Sequence, residues 1–180
     1  MRSWRVFLIT LIITAVVLAG CGGSPSGEEE KSDTIKIGFS APLSGSSAEL
    51  GQRALRGVIL AAEEVNAAGG INGKEIVVVE MDDRADPKEA ANVANLFVSD
   101  PDILAVIGHN NSSCTLAAAP IYNKGGLPHI SPDSSSPKIS ECGPYTFRVR
   151  NSDAYTGAFN VEKMHEAGYK KLGILYENND

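Results

Sequence analysis

Apolar and polar positions along this chain alternate between two periods. TIKIGFSA, residues 34–41, is a short β-branched run that reads as a strand. AELGQRALRGVILAAEEVNAAGG, residues 48–70, follows with Leu50, Ala54, Val58, Ala61 and Val65 at helical spacing and Gly69–Gly70 as a stop. The alternation then repeats. EIVVVEMDD (75–83) reads as strand, and DPKEAANVANLFVSD (86–100) as helix, with Asp86 at the N-cap and Pro87 where no N–H is needed. DILAVIG (102–108) is strand, SCTLAAAPIYNKGG (113–126) helix, and LPHIS (127–131) a short strand leading into the loop PDSSSPKISECGP. Four strands separated by helices predict βαβ units, hence an α/β fold with a parallel sheet flanked by helices and right-handed crossovers.

The segment before residue 34 belongs to a different physical class. Arg2 and Arg5 give a positive start before VFLITLIITAVVLA, residues 6–19, an apolar run of 14 residues that leads into Gly20 and Cys21 as LAGC. A membrane span needs about 20 such residues, so the run reads as a signal peptide. The small residues before Cys21 resemble a bacterial lipobox, in which cleavage leaves the cysteine N-terminal and lipidated; an ordinary signal peptide or an uncleaved anchor is the alternative. GGSPSGEEEKSD (22–33) has no apolar residue and is expected to be a hydrated tether. The expected location is therefore extracytoplasmic, anchored by lipid to a membrane face.

Composition narrows the function classes. The 180 residues are 43% hydrophobic, enough for a core, and the net charge is −6 with Lys and Arg scattered singly. That distribution offers no basic stripe for nucleic acid. In a parallel sheet, ligands sit at the carboxyl ends of the strands, where helix N-termini present unpaired N–H groups. The polar stretches SAPLSGSSAELG, MDDRADP, HNNSSC and SPDSSSP fall there. They contain no GxGxxG, phosphate loop or GxSxG, and His109, His129 and His165 are not at metal-ligand spacing. Hydroxyls and amides at helix starts suit a small anion such as a carboxylate, with neither metal nor cofactor expected.

Taken in order, IKIGFSAPLSGSSAELGQRALRGVILAAEEVNAAGGINGKEIVVVEMDDRADPKEAANVANLF, VIGHNNSSCTLAAAPIYNKGGLPHISPDSSSP and FRVRNSDAYTG resemble the extracytoplasmic solute-binding proteins of branched-chain amino acid ABC transporters, from about Ile35 to Asp180. The resemblance implies the type I periplasmic binding protein fold, in which two α/β lobes joined by a hinge close over a ligand. It implies a monomeric, non-enzymatic amino acid receptor whose partners are an ABC permease and its ATPase. The position of Ser112 would bind the α-carboxylate, helped by the Ser135 hydroxyl and nearby backbone N–H groups, within a site drawing on Asn111, Ser113, Ser134, Leu50 and Gly51. Ser112 and Ser113 acting only as helix caps is the competing reading.

Two departures from the family pattern leave the solute open. Asp133 stands where relatives often carry a small residue. Its carboxylate would bind an ammonium, repel an amino acid's carboxylate in favour of a cationic, amide or urea-like solute, or merely cap a turn. Leu50 stands where relatives often have an aromatic. The same fold also serves in ligand sensing, and an anchored enzyme would need a nucleophile such as Cys114 with His109. Cys114 and Cys142 form an even pair outside the cytoplasm, so a disulfide or two buried thiols are both expected outcomes. The domains implied are a signal peptide (1–21), a linker (22–33), a ligand-binding lobe (34–149), and a hinge crossing with the start of an incomplete second lobe (150–180). In that second lobe, residues 158–170 are expected to be helix and 171–180 strand.

Overall fold

In the computed structural model, which describes residues 34–174, the apolar runs become five strands: β1 (Thr34–Ala41), β2 (Glu75–Asp82), β3 (Ile103–Gly108), β4 (His129–Ser131) and β5 (Thr146–Arg148). They form one sheet in the order β2-β1-β3-β4-β5, every neighbouring pair parallel. The helices are α1 (Ala48–Ala67), α2 (Pro87–Ser99), α3 (Ser112–Gly125) and α4 (Asp153–Glu166), with a 3₁₀ turn at Pro137–Glu141. The chain steps from β1 outward to β2 and then back across β1 to β3. Right-handed crossovers therefore put α1 on one face and α2 with α3 on the other.

The alternation within β2 records both faces. Ile76 and Val78 line an apolar cavity of about 210 Å³ beneath α1, shared with Val58, Ala62 and Val65. Val79 and Met81 instead pack on the cluster of Val93, Ala94 and Phe97 from α2 and Ala118 and Tyr122 from α3. Burying each such large side chain contributes about 1.5–3 kcal/mol, so this second face is the main core. Asp86 caps α2 as expected, accepting from the backbone N–H groups of Lys88 and Glu89 at 2.7 and 3.1 Å. On the α1 side, β3 to β5 present Ala105, Ile107, Ile130 and Phe147 to an open apolar surface, Phe147 being 52% exposed.

Several expectations shift in detail. Of the stripe expected on α1, Val58, Ala61 and Val65 line its inward face beside Ala62, whereas Leu50 is left 47% exposed next to the buried Gly51. The first turn faces Pro42 through Gly51, where any Cβ would collide with the Pro42 carbonyl oxygen. The stretch read as a crossing, FRVRNSDAYTG, contributes β5 before it leaves the sheet. The following helix starts at Asp153 rather than 158, because Ser152 is extended and sits at the N-cap position. No strand begins within residues 171–174. Cys114 and Cys142 are not disulfide-bonded: Cys114 is buried in the first turn of α3, whereas the Cys142 thiol turns back to the Lys138 carbonyl at 3.5 Å. The segments read as a signal peptide and a tether, Cys21 with them, and residues 175–180 lie outside the described residues.

Candidate functional site

Because β2 and β3 lie on opposite sides of β1, the strand order reverses between β1 and β3, and their carboxyl ends open a crevice there. Gly108, the last residue of β3, has φ +145° and lies so close to β1 that a Cβ would strike the Ser40 carbonyl oxygen. That approach brings the loops after β1, β2, β3 and β4 together. The first of them is held by Asp82, which accepts from Leu43 N at 2.8 Å, Ser44 Oγ at 2.5 Å and Arg84 N at 2.9 Å. Partial burial of Asp82 works to raise its pKa, but these hydrogen bonds outweigh it and hold the carboxyl below its usual range.

Beneath the crevice is a buried polar layer. Asp83 Oδ2 lies 2.6 Å from His109 Nδ1 and 3.4 Å from Ser40 Oγ, with Asp83, His109 and Ser40 all fully buried. The carboxylate accepts a hydrogen bond from Nδ1–H, which leaves Nε2 facing the Tyr122 hydroxyl at 3.3 Å. Burial, with the nearby Asp83 charge, pushes the Tyr122 phenol up, keeping it a neutral donor. The His109 carbonyl accepts from Thr115 Oγ1 at 3.0 Å and Ser131 Oγ at 2.6 Å. Ser134 Oγ shares its proton among the His109 and Asn110 carbonyls and Thr115 Oγ1, at 3.2, 3.0 and 2.8 Å. His129 extends the layer to β5 through Thr146 Oγ1 at 2.9 Å; burial drives its pKa down to about 4, with the His109 ring adding to the shift.

Above this layer sit the residues singled out from the sequence. Ser112 opens α3, and its Oγ accepts from the Ser136 N–H at 3.2 Å. A hydroxyl has one proton and two acceptor positions, so the Ser112 O–H remains able to donate outward, beside the first-turn N–H groups of α3. Asn111 is the N-cap residue but makes no side-chain capping bond, which removes the capping explanation at that position. Ser135 Oγ donates to Asp153 Oδ2 at 2.7 Å, tying the loop to the start of α4. Asp133 pairs with Arg150 Nη1 at 2.6 Å, an arrangement that neutralises the carboxylate at this edge. Gly51 serves close packing on Pro42, and Leu50 is exposed on the first turn of α1.

The structure thus joins the loop of Asn111, Ser112 and Ser113 to the loop of Asp133, Ser134 and Ser135 through the Ser112–Ser136 and Ser134–Asn110 hydrogen bonds, with Ser134 in the buried layer rather than at the surface. Cys114 has no general base in His109, whose ring nitrogens face Asp83 and Tyr122. Among the described residues, no three His, Cys, Asp or Glu side chains gather as a metal site. Sequence reasoning missed Asp83, Asn110, Thr115 and Arg150. Asp83 and Asn110 stand inside the polar strand-end segments, but nothing in the spacing separates inward from outward groups. What the arrangement offers chemically is a donor-rich cradle for one anionic group.

Comparison with known proteins gives this geometry a context. A family profile described as "Periplasmic binding protein" matches residues 34–180. An "Amino acid binding protein" of Pseudomonas aeruginosa is 42% identical over 152 residues, covering 81% of this chain and 39% of the relative. "Leu/Ile/Val-binding protein homolog 2" of Brucella abortus is 40% identical over 146 residues, covering 79% of this chain and 39% of the relative. Among solved structures, an ABC transporter substrate-binding protein of Desulfitobacterium hafniense in complex with Leu superposes with a TM-score of 0.70 at 33% identity, over 76% of this chain and 40% of that one. The branched-chain amino acid transporter substrate-binding protein of Streptococcus pneumoniae in complex with isoleucine gives 0.64 at 40% identity, over 67% and 35%. This chain thus spans about two fifths of the length of the curated relatives it matches.

Proposed function

The chain belongs to the periplasmic binding protein family, and from that premise we propose that residues 34–149 form the first lobe of a lipid-anchored receptor that captures an amino acid and hands it to an ABC importer. The observation that carries the reading is Ser112: it starts α3 at the reversal point of the sheet, and its hydroxyl accepts from the Ser136 N–H while keeping its own proton. That combination stabilises a carboxylate by short, charge-assisted hydrogen bonds without an arginine. Cys21 would carry the lipid, residues 22–33 would tether the lobe, and the chain from 150 onward would cross to a second lobe.

In this family's geometry one lobe supplies one wall. Closure of a second wall excludes water and adds contacts, so a single lobe binds weakly. The test is direct: titrate the full 180-residue chain with neutral L-amino acids up to millimolar concentration and follow backbone amide signals by NMR. Amides of residues 111–115 and 134–136 should shift. Ser112→Ala, which removes one charge-assisted donor, should weaken binding roughly 10-fold. Unchanged affinity in Ser112→Ala would remove Ser112 from the site, and no shift with any amino acid would overturn capture by this lobe.

A further inference from the structure

Asn110 stands apart from every neighbour in the polar layer. Its side-chain Oδ1 is buried and has no hydrogen-bond partner, while Ser40, Asp83, His109, Thr115, Ser131 and Ser134 around it are all paired. Asn110 is 8% exposed, and among the described residues no other buried side-chain nitrogen or oxygen is left without a partner. A buried acceptor without a donor is costly, so a fold that satisfies the rest of this layer would be expected to satisfy this one from itself or from a ligand. The backbone offers no relief, because the Asn110 carbonyl is fixed by Ser134 Oγ at 3.0 Å, which joins β3's end to the loop after β4. The next residue, Asn111, also leaves its side chain out of capping. Two successive carboxamides thus stand between the sheet and Ser112 without serving secondary structure.

We propose that Asn110 sets the specificity of the cradle: its carboxamide accepts a hydrogen bond from the solute's side chain, and the site prefers an amino acid bearing an N–H or O–H there over an aliphatic one. The inference rests on the capture reading above and adds the chemical class of solute to it. The carboxamide turns about a soft two-fold torsion, so its oxygen meets a donor brought to the strand end without backbone movement. Being uncharged, it leaves the electrostatics of the carboxylate cradle at α3 untouched. An aliphatic solute of the same shape would cover the group and leave it unpaired, which is how polar sites reject apolar isosteres.

Matched isosteres provide the test. Leucine and asparagine have nearly the same outline, as do valine and threonine, so each pair isolates the hydrogen bond from size. With the full 180-residue chain followed by NMR titration, asparagine and threonine should bind roughly 10- to 100-fold more tightly than leucine and valine. Asn110→Leu should erase or reverse both ratios while shifts at the Ser112 amide persist. The wild-type ratios stand alone if the variant fails to fold. Equal affinity within each pair, or ratios unchanged in a folded Asn110→Leu, would overturn the assignment while leaving capture intact. Absence of binding by all four would overturn capture and this inference together.

Discussion

Two layers of polar side chains stand at the same strand ends and do opposite things. The inner layer, comprising Asp83, His109, Thr115, Ser131 and Ser134, is at most 1% exposed and spends its hydrogen-bonding capacity on itself and on the His109 and Asn110 carbonyls. The outer layer, comprising Ser112, Asp133 and Ser135, is partly exposed: Ser112 keeps its hydroxyl proton, Asp133 is paired with Arg150, and Ser135 spends its proton on Asp153. A hydroxyl in the inner layer fixes where the loops are; the Ser112 hydroxyl in the outer layer retains a proton for hydrogen bonding. Composition is similar in both, and the difference comes from the strand register and from the close approach of β3 to β1 at Gly108.

The sharpest way to break the contrast is to remove the inner carboxylate. Asp83→Ala leaves the His109 Nδ1–H and the Ser40 hydroxyl without their acceptor in a site that water does not reach. Leaving a buried donor unpaired costs about 1–3 kcal/mol, and two are stranded here, a large part of a small domain's stability. Urea unfolding followed by circular dichroism should show a midpoint far below that of the parent. A loss under about 1 kcal/mol, within what surface ion pairs contribute, would mean that the inner layer is not structural.

Acid should weaken the same layer through His129. Its pKa is held down to about 4 by burial, against an ordinary 6.5, so the folded state disfavours the protonated ring. The unfolded chain binds that proton more readily, and stability therefore rises with pH between about 4 and 6.5. The contribution is fully present above about pH 6.5 and is lost as pH falls toward 4, with a total of about 3 kcal/mol. Unfolding midpoints measured across this range should slope accordingly, and His129→Gln should flatten the slope. An equally steep slope in the variant would assign it to other groups.

How much of this was legible in the sequence follows from the same division. β1 to β4, α1 to α3 and their order were readable because each is announced by a local period, and Asp86–Pro87 marked the start of α2 as capping chemistry requires, whereas the three-residue β5 and the start of α4 were not. The position of Ser112 at a helix start was readable because hydroxyls follow a strand end. The inner layer was not, since Asp83 and Asp82 are adjacent and alike in sequence, yet one is buried against His109 while the other grips the β1–α1 loop. Neither local period nor residue type tells which of two neighbouring carboxylates turns inward. The Asp133–Arg150 pair was hidden for a related reason: its members are 17 residues apart and meet only because β5 runs parallel beside β4.

That pair supplies the mildest test of the outer layer. Arg150 and Asp133 side chains are 52% and 44% exposed, so their attraction is screened and contributes less than about 1 kcal/mol. Arg150→Ala should hardly move the unfolding midpoint, yet it releases a carboxylate beside the cradle. With the counter-charge gone, a solute carrying an extra ammonium gains an attractive partner, while a solute's carboxylate meets repulsion at the same edge. In NMR titrations of the full chain, lysine should therefore gain affinity relative to its neutral counterpart norleucine by a few-fold at low salt, the gain shrinking as salt is raised. A stability loss well above 1 kcal/mol with no change in that ratio would move Asp133 and Arg150 into the structural layer, and the boundary between the two layers would have to be redrawn there.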